Sequence, residues 1–259
     1  MMSDLYNYNL LTIFLVSVAA ILAASEIGRQ LGVRTADRGG KNISTLESAI
    51  LALLALMIGF TFAMALSRFE GRREAVLNEA NAIGTTALRA RLLPPPHRAE
   101  VLKLLREYVQ IRLDLTQRIP SPMELSAAIA RSNELQEALW QQAKAVVGKD
   151  NAMVPTGLFI QTLNEMIDNQ AKRLTALRNR VPNVVLVALY AMAVIASAFT
   201  GYTSGLEARR SRLPVYITGM LICAVILLIQ DLDRPSAGFI TTSQQPMVDT
   251  AAGISGYTD

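Results

Sequence analysis

The stretch GFTFAMALSRFEGRREA, Gly59–Ala75, decides how this chain is read. Its first half is apolar enough to lie in lipid. Its second half carries Arg68, Glu70, Arg72, Arg73 and Glu74. No proline interrupts it, and a single helix glycine such as Gly71 is a weak break, worth about 1 kcal/mol relative to alanine. The pattern predicts one helix that leaves a bilayer and continues into water. The apolar run begins near Ser48, and the first firm stop is Pro94-Pro95-Pro96, because proline lacks the helical N–H and clashes with the preceding turn. A helix from Ser48 to Arg91 rises about 66 Å at 1.5 Å per residue. That is roughly twice the hydrocarbon thickness of a membrane.

Working outward, three more windows approach the roughly 20 apolar residues that a crossing helix needs. The four expected spans are Leu10–Gly28, Ser48–Leu66, Val181–Gly201 and Leu213–Gln230. No basic segment precedes the first, so it does not read as a cleaved leader. Ser44-Thr45-Leu46-Glu47 fits a capping box ahead of the second. Asn42-Ile43-Ser44 also fits a glycosylation sequon, but a cap and turn explain the same residues. The whole chain is 51% hydrophobic and 18% charged, with a mean hydropathy of +0.30. That balance suits membrane spans joined to a polar portion.

The polar portion lies between spans two and three. In RAEVLKLLREYVQIRLDL, residues Val101, Leu104, Leu105, Tyr108, Ile111 and Leu115 fall at steps of three and four, an amphipathic helical stripe. Ser121-Pro122-Met123-Glu124 is a second capping box with proline at the first helical position. The helix it starts should run to about Val147, with Gly148 as its stop. A last helix, from about Thr156, heads toward span three. No strand alternation and no fixed-period repeat occur. The expected fold is therefore all-α: a four-span helical membrane protein with a helical cytoplasmic insert. Its parts are residues 1–67 (spans 1 and 2), 68–180 (insert), 181–230 (spans 3 and 4) and 231–259 (a polar C-terminal tail).

Four spans place the amino terminus, the insert and the carboxyl terminus on one side. The short loops carry Arg29, Arg34, Arg38, Lys41, Arg209, Arg210 and Arg212. The opposite side carries Arg68, Arg72, Arg73, Lys172, Arg173, Arg178, Arg180 and Arg234 close to the membrane. The positive-inside rule does not separate such similar sets. The insert is basic overall and lacks cysteine, which favours the cytoplasm.

Chemistry-bearing motifs are sparse. The single Cys223 excludes an internal disulfide, and the single His97 excludes two-histidine metal motifs. There is no phosphate-binding glycine loop and no dinucleotide fingerprint. His97, beside the prolines, reads as a solvated residue at a helix start, and Cys223 and Trp140 read as packing. No enzyme, cofactor, metal or nucleic acid is expected. Glu26 with Arg29 reads as an interfacial ion pair, and Asp231-Leu232-Asp233-Arg234 as the stop of span four rather than a cation-binding corner. Ala193, Ser197, Gly201 and Gly205 recur every four residues on one face of span three. Small residues at that spacing let helix backbones approach closely, within a subunit or between subunits.

The opening stretch also carries a resemblance. GFTFAMALSRFEGRREAVLNEANAIGTTALRARLLP, together with DLDRPSAGFITTSQQPMVD, resembles a bacterial membrane-protein family of unknown function described as bestrophin-like. More remotely, Gly59-Phe60 followed by Arg68-Phe69 and Arg72 is similar to a motif of the bestrophin channels, as is the order of spans, insert and tail. Phe69 stands where that motif has tryptophan, and Glu70 replaces its next aromatic. No acidic cluster matches the calcium site of the eukaryotic members. The resemblance implies a homo-oligomer, a pentamer in bestrophins, that conducts anions through a neck lined by the second span. On that reading Leu53, Met57, Phe60 and Met64 form hydrophobic constrictions that gate by dewetting. Thr61 supplies a hydroxyl, and Arg68 and Arg72 attract anions at the mouth. The same stripe also suits packing inside its own subunit. A rival function is a non-conducting scaffold or sensor in the lipid bilayer whose insert binds a partner.

Overall fold

The computed structural model describes residues 8–36, 43–117, 121–148, 153–206, 212–235 and 238–257. Among them, eight helices and no strand occur. They are α1 (Leu10–Thr35), α2 (Ile43–Ala90), α3 (His97–Gln117), α4 (Pro122–Val147), α5 (Met153–Arg178), α6 (Asn183–Leu206), α7 (Leu213–Asp233) and α8 (Gln245–Ser255). Four helical runs are long and apolar enough to cross a membrane: α1, α2, the run through α5 and α6, and α7. Within the third run the apolar part is α6, which contains no charged residue. Residues 179–182 leave the helix before it, as Pro182 requires of the residue ahead of it.

Helix α2 spans 48 residues without a break, which is about 72 Å. It begins earlier than expected. Ser44 therefore lies inside the first turn rather than ahead of it, and its carbonyl accepts from Ser48 Oγ at 2.9 Å. Asn42, Arg38, Lys41, Arg209 and Arg210 lie outside the described residues.

The chain divides into two compact units, residues 1–69 with 180–241, and residues 70–179 with 242–259. In the first unit α1 packs chiefly on α6 and also on α7. Ile21, Leu54, Ala65, Leu186, Leu189, Ala193, Ile226 and Ile229 form its core, and Cys223 is buried there too. The outside of the same unit is also apolar. Leu11, Leu15, Val16, Ile27, Val184, Ile217 and Leu221 are exposed. Apolar residues inside and out suit a unit whose solvent is lipid.

The second unit is a helical bundle around Ile83, Leu105, Tyr108, Leu135, Leu139, Phe159, Leu163, Met166 and Met247, with Trp140 packed against it. Val101, Leu105 and Tyr108 from the α3 stripe are fully buried. The Ser121 capping box forms as expected: Ser121 Oγ accepts from the Glu124 amide and Glu124 accepts from the Ser121 amide. Gly148 ends α4 with a right-handed φ of −71°, so it stops the helix without the left-handed turn that usually selects glycine. His97 is not solvated; it is buried, with Nδ1 2.8 Å from Gln142 Oε1. The segment read as a polar tail contributes α8, whose Met247 and Ile254 enter this core.

Candidate pore helix and its neighbours

The apolar half of α2 has two faces. Leu54, Thr61 and Ala65 are buried, and Met57, Ile58 and Phe62 pack partly against the first unit's core. The opposite arc is uncovered by the chain itself. Leu53 (48% exposed), Leu56, Phe60 (67%) and Met64 (36%) project from it, with Ala52, Ala55, Gly59, Ala63 and Ser67 between them. A Cβ placed on Gly59 would meet nothing within 4 Å.

The expected pore residues therefore fall on different sides. Leu53, Phe60 and Met64 share the open arc. Met57 stands at its edge, half-buried. Thr61 is only 3% exposed, and its hydroxyl donates to the Met57 carbonyl at 2.7 Å, so it is not displayed to an ion. Arg68 is half-buried and Arg72 is 2% exposed. Both residues interact with other groups. Sequence reasoning passed over Leu56 and the small residues of this arc, although their recurrence at steps of three and four was the available signal.

The small-residue face of α6 is an internal seam. A Cβ on Gly201 would lie 2.0 Å from the Ser25 carbonyl oxygen, and one on Gly205 would lie 2.2 Å from that of Arg29. The relation is reciprocal: a Cβ on Gly28 would run into the Ala198 carbonyl and one on Gly32 into that of Tyr202, at 2.0 and 2.1 Å. Ala193 and Ser197 are buried in the same unit. The matching glycines of α1 were legible as small residues spaced like those of α6.

The charges ending α7 cap backbone. Asp231 accepts from the amides of Phe239 (2.7 Å) and Ile240 (3.0 Å), and Asp233 from that of Val181 at 2.9 Å. Arg234 donates to the Tyr8 carbonyl at 2.7 Å. Glu26 pairs with Arg29 at 3.2 Å and accepts from the Tyr216 hydroxyl at 3.0 Å. Asp231 and Asp233 thus organise the chain around the end of α7, while Glu26 ties α1 to α7 through Tyr216.

One polar cluster was not foreseen. In the second unit Glu79 is fully buried between Arg112 Nε (2.9 Å) and Arg173 Nη1 (2.6 Å). The Tyr108 hydroxyl donates to the same carboxylate at 3.1 Å. Arg173 also donates to Gln244 at 3.0 Å. Burial lowers the pKa of Arg173, while the Glu79 charge opposes that change. Tyr108 and Arg112 are one helical turn apart on the buried α3 stripe, which was the one sequence signal for an interior charge.

A family model described as Bestrophin-like domain matches residues 13–247. Among solved structures, a bacterial bestrophin homolog from Klebsiella pneumoniae is 16% identical, with a TM-score of 0.67 over 93% of this chain and 95% of that one. A point variant of that homolog is 15% identical, with a TM-score of 0.68 over 93% and 96%. A structure described only as a membrane protein with a single substitution is 16% identical, with a TM-score of 0.68 over 95% and 97%. No curated protein matches.

Proposed function

This chain belongs to the bestrophin-like domain family, and on that premise we propose that it is a homo-oligomeric ion channel with α2 lining the pore. The observation that carries this reading is the open arc of α2. Its large apolar residues, Leu53, Leu56, Phe60 and Met64, are exposed, while the small residues between them leave room for a neighbouring helix. Copies of α2 arranged about an axis turn such residues inward as narrow hydrophobic rings, which hold back ions until they wet. Five copies, as bestrophins have, and an insert in the bacterial cytoplasm complete the arrangement. Anions are the favoured cargo, with Arg68 nearest the membrane end of the ring stack. Arg72, being buried, would not meet the ion directly.

Planar-bilayer recording from the purified full chain tests this. A current is expected, and Phe60→Ala widens the ring and raises it severalfold. Met57→Ala should change it less, because Met57 packs partly into its own unit. Silence across ions, lipids and pH removes the channel and leaves the scaffold reading.

A further inference from the structure

The buried cluster of the second unit holds more positive charge than the carboxylate at its centre neutralises. Arg112 and Arg173 face one carboxylate, Glu79. The charged groups that act most on Arg173 are that same Glu79 and Arg112, with Tyr108 beside them. A buried charge without a counter-charge is strongly disfavoured.

Among the described residues, Arg112 Nη1, Ser132 Oγ and Gln170 Nε2 are buried side-chain atoms with no hydrogen-bond partner. Their residues are at most 3% exposed. All three can donate, and two can do nothing else. Arg112 Nη1 shares its guanidinium with Nε and Nη2, which lie 2.9 and 3.3 Å from the Glu79 carboxylate. Gln170 is one turn before Arg173 on α5, and its carbonyl oxygen accepts from Gln136. Gln136 in turn is hydrogen-bonded to Tyr108, and Ser132 lies one turn before it on α4. Uncompensated positive charge and donors left over on three helices call for an acceptor that carries negative charge and no proton of its own.

We propose that Arg112, Ser132 and Gln170 bind a small monovalent anion, chloride in the first instance, inside the second unit. It neutralises the surplus guanidinium and satisfies the three donors. This site is separate from the pore reading and does not depend on conduction.

The test is thermal unfolding of the full chain in detergent, in sodium chloride against sodium gluconate at equal ionic strength. The single tryptophan, Trp140, lies one turn after Gln136 on α4 and packs on the same core, so its fluorescence reports this unit. Chloride should raise the midpoint by several degrees and saturate, as a ligand of the native state does. Ser132→Ala, which removes one donor, should shift the half-saturating chloride about tenfold upward. Arg112→Gln should abolish the dependence. Equal midpoints in the two salts overturn the proposal. So does a chloride effect that is undiminished in Ser132→Ala, a variant small enough to fold even if Arg112→Gln does not.

Discussion

Gly201 and Gly59 are both helix glycines, and their surroundings give them opposite predictions. At Gly201 a methyl group would meet the Ser25 carbonyl oxygen at 2.0 Å. Backbone cannot step aside as a flexible side chain does, so Gly201→Ala should lower stability by about 1–3 kcal/mol or more. At Gly59 the space is open, and Gly59→Ala should be neutral or stabilising by up to about 1 kcal/mol, because alanine restricts the unfolded chain. Parallel melts in one detergent check the pair, and equal losses would dissolve the α1–α6 seam. Tyr108 supplies a pH prediction. Burial, reinforced by the neighbouring Glu79 charge, pushes its hydroxyl far above the ordinary range. A tyrosine in the unfolded chain ionises near pH 10. Above that pH the unfolded state has released a proton that the folded state retains, so stability is full below about pH 10 and falls as pH rises beyond it. Tyr108→Phe should flatten that alkaline decline at the expense of the hydrogen bond to Glu79.

At the scale of elements, α2 and α8 depart most from a reading by hydropathy. The length of α2 was legible, because nothing between Ser48 and Pro94 ends a helix. Its two faces were not. Leu53, Met57, Phe60 and Met64 look alike in sequence, yet Met57 turns partly inward and the others face outward. Which arc a helix buries depends on the neighbours it meets. Helix α8 lies in a segment that reads as a polar tail, because eleven residues with two core anchors give little periodic signal. Yet Met247 is fully buried, and Thr250 donates to the Ala80 carbonyl at 3.3 Å. Arg106 donates to the Ile254 and Tyr257 carbonyls, and Arg91 lies 4.7 Å from the Tyr257 ring centroid. Met247→Ala should therefore cost roughly 2–5 kcal/mol, the range for emptying a buried site. Denaturant titration followed at Trp140 measures it, and a change within error would make α8 an appendage.

For the whole molecule the deciding quantity is subunit number. The first unit exposes apolar side chains on many sides, which lipid satisfies, but a pore needs α2 arcs from several copies. Native mass spectrometry of the detergent-solubilised chain should show a discrete multimer, five by resemblance to bestrophins. A monomer would leave the Phe60 arc facing lipid and remove the central pore. A multimer would also place Leu56 and Gly59 near the subunit boundary, where bulky substitution should lower assembly more than folding.

The sequence by itself determined the helical class, the apolar segments, the length of α2, the Ser121 cap and the family motif. Those are local matters: hydropathy over about 20 residues, capping over four, and proline as a chemical stop. Only the tertiary structure decided that the α6 glycines meet α1 rather than another subunit. It alone turned Thr61 inward, put Arg72 out of solvent and gathered Glu79, Tyr108, Arg112, Gln136, Gln170 and Arg173 from four helices. The reason is physical. A close approach of two backbones and the neutralisation of a buried guanidinium depend on groups far apart in the chain, and no local pattern records which of them packing brings together.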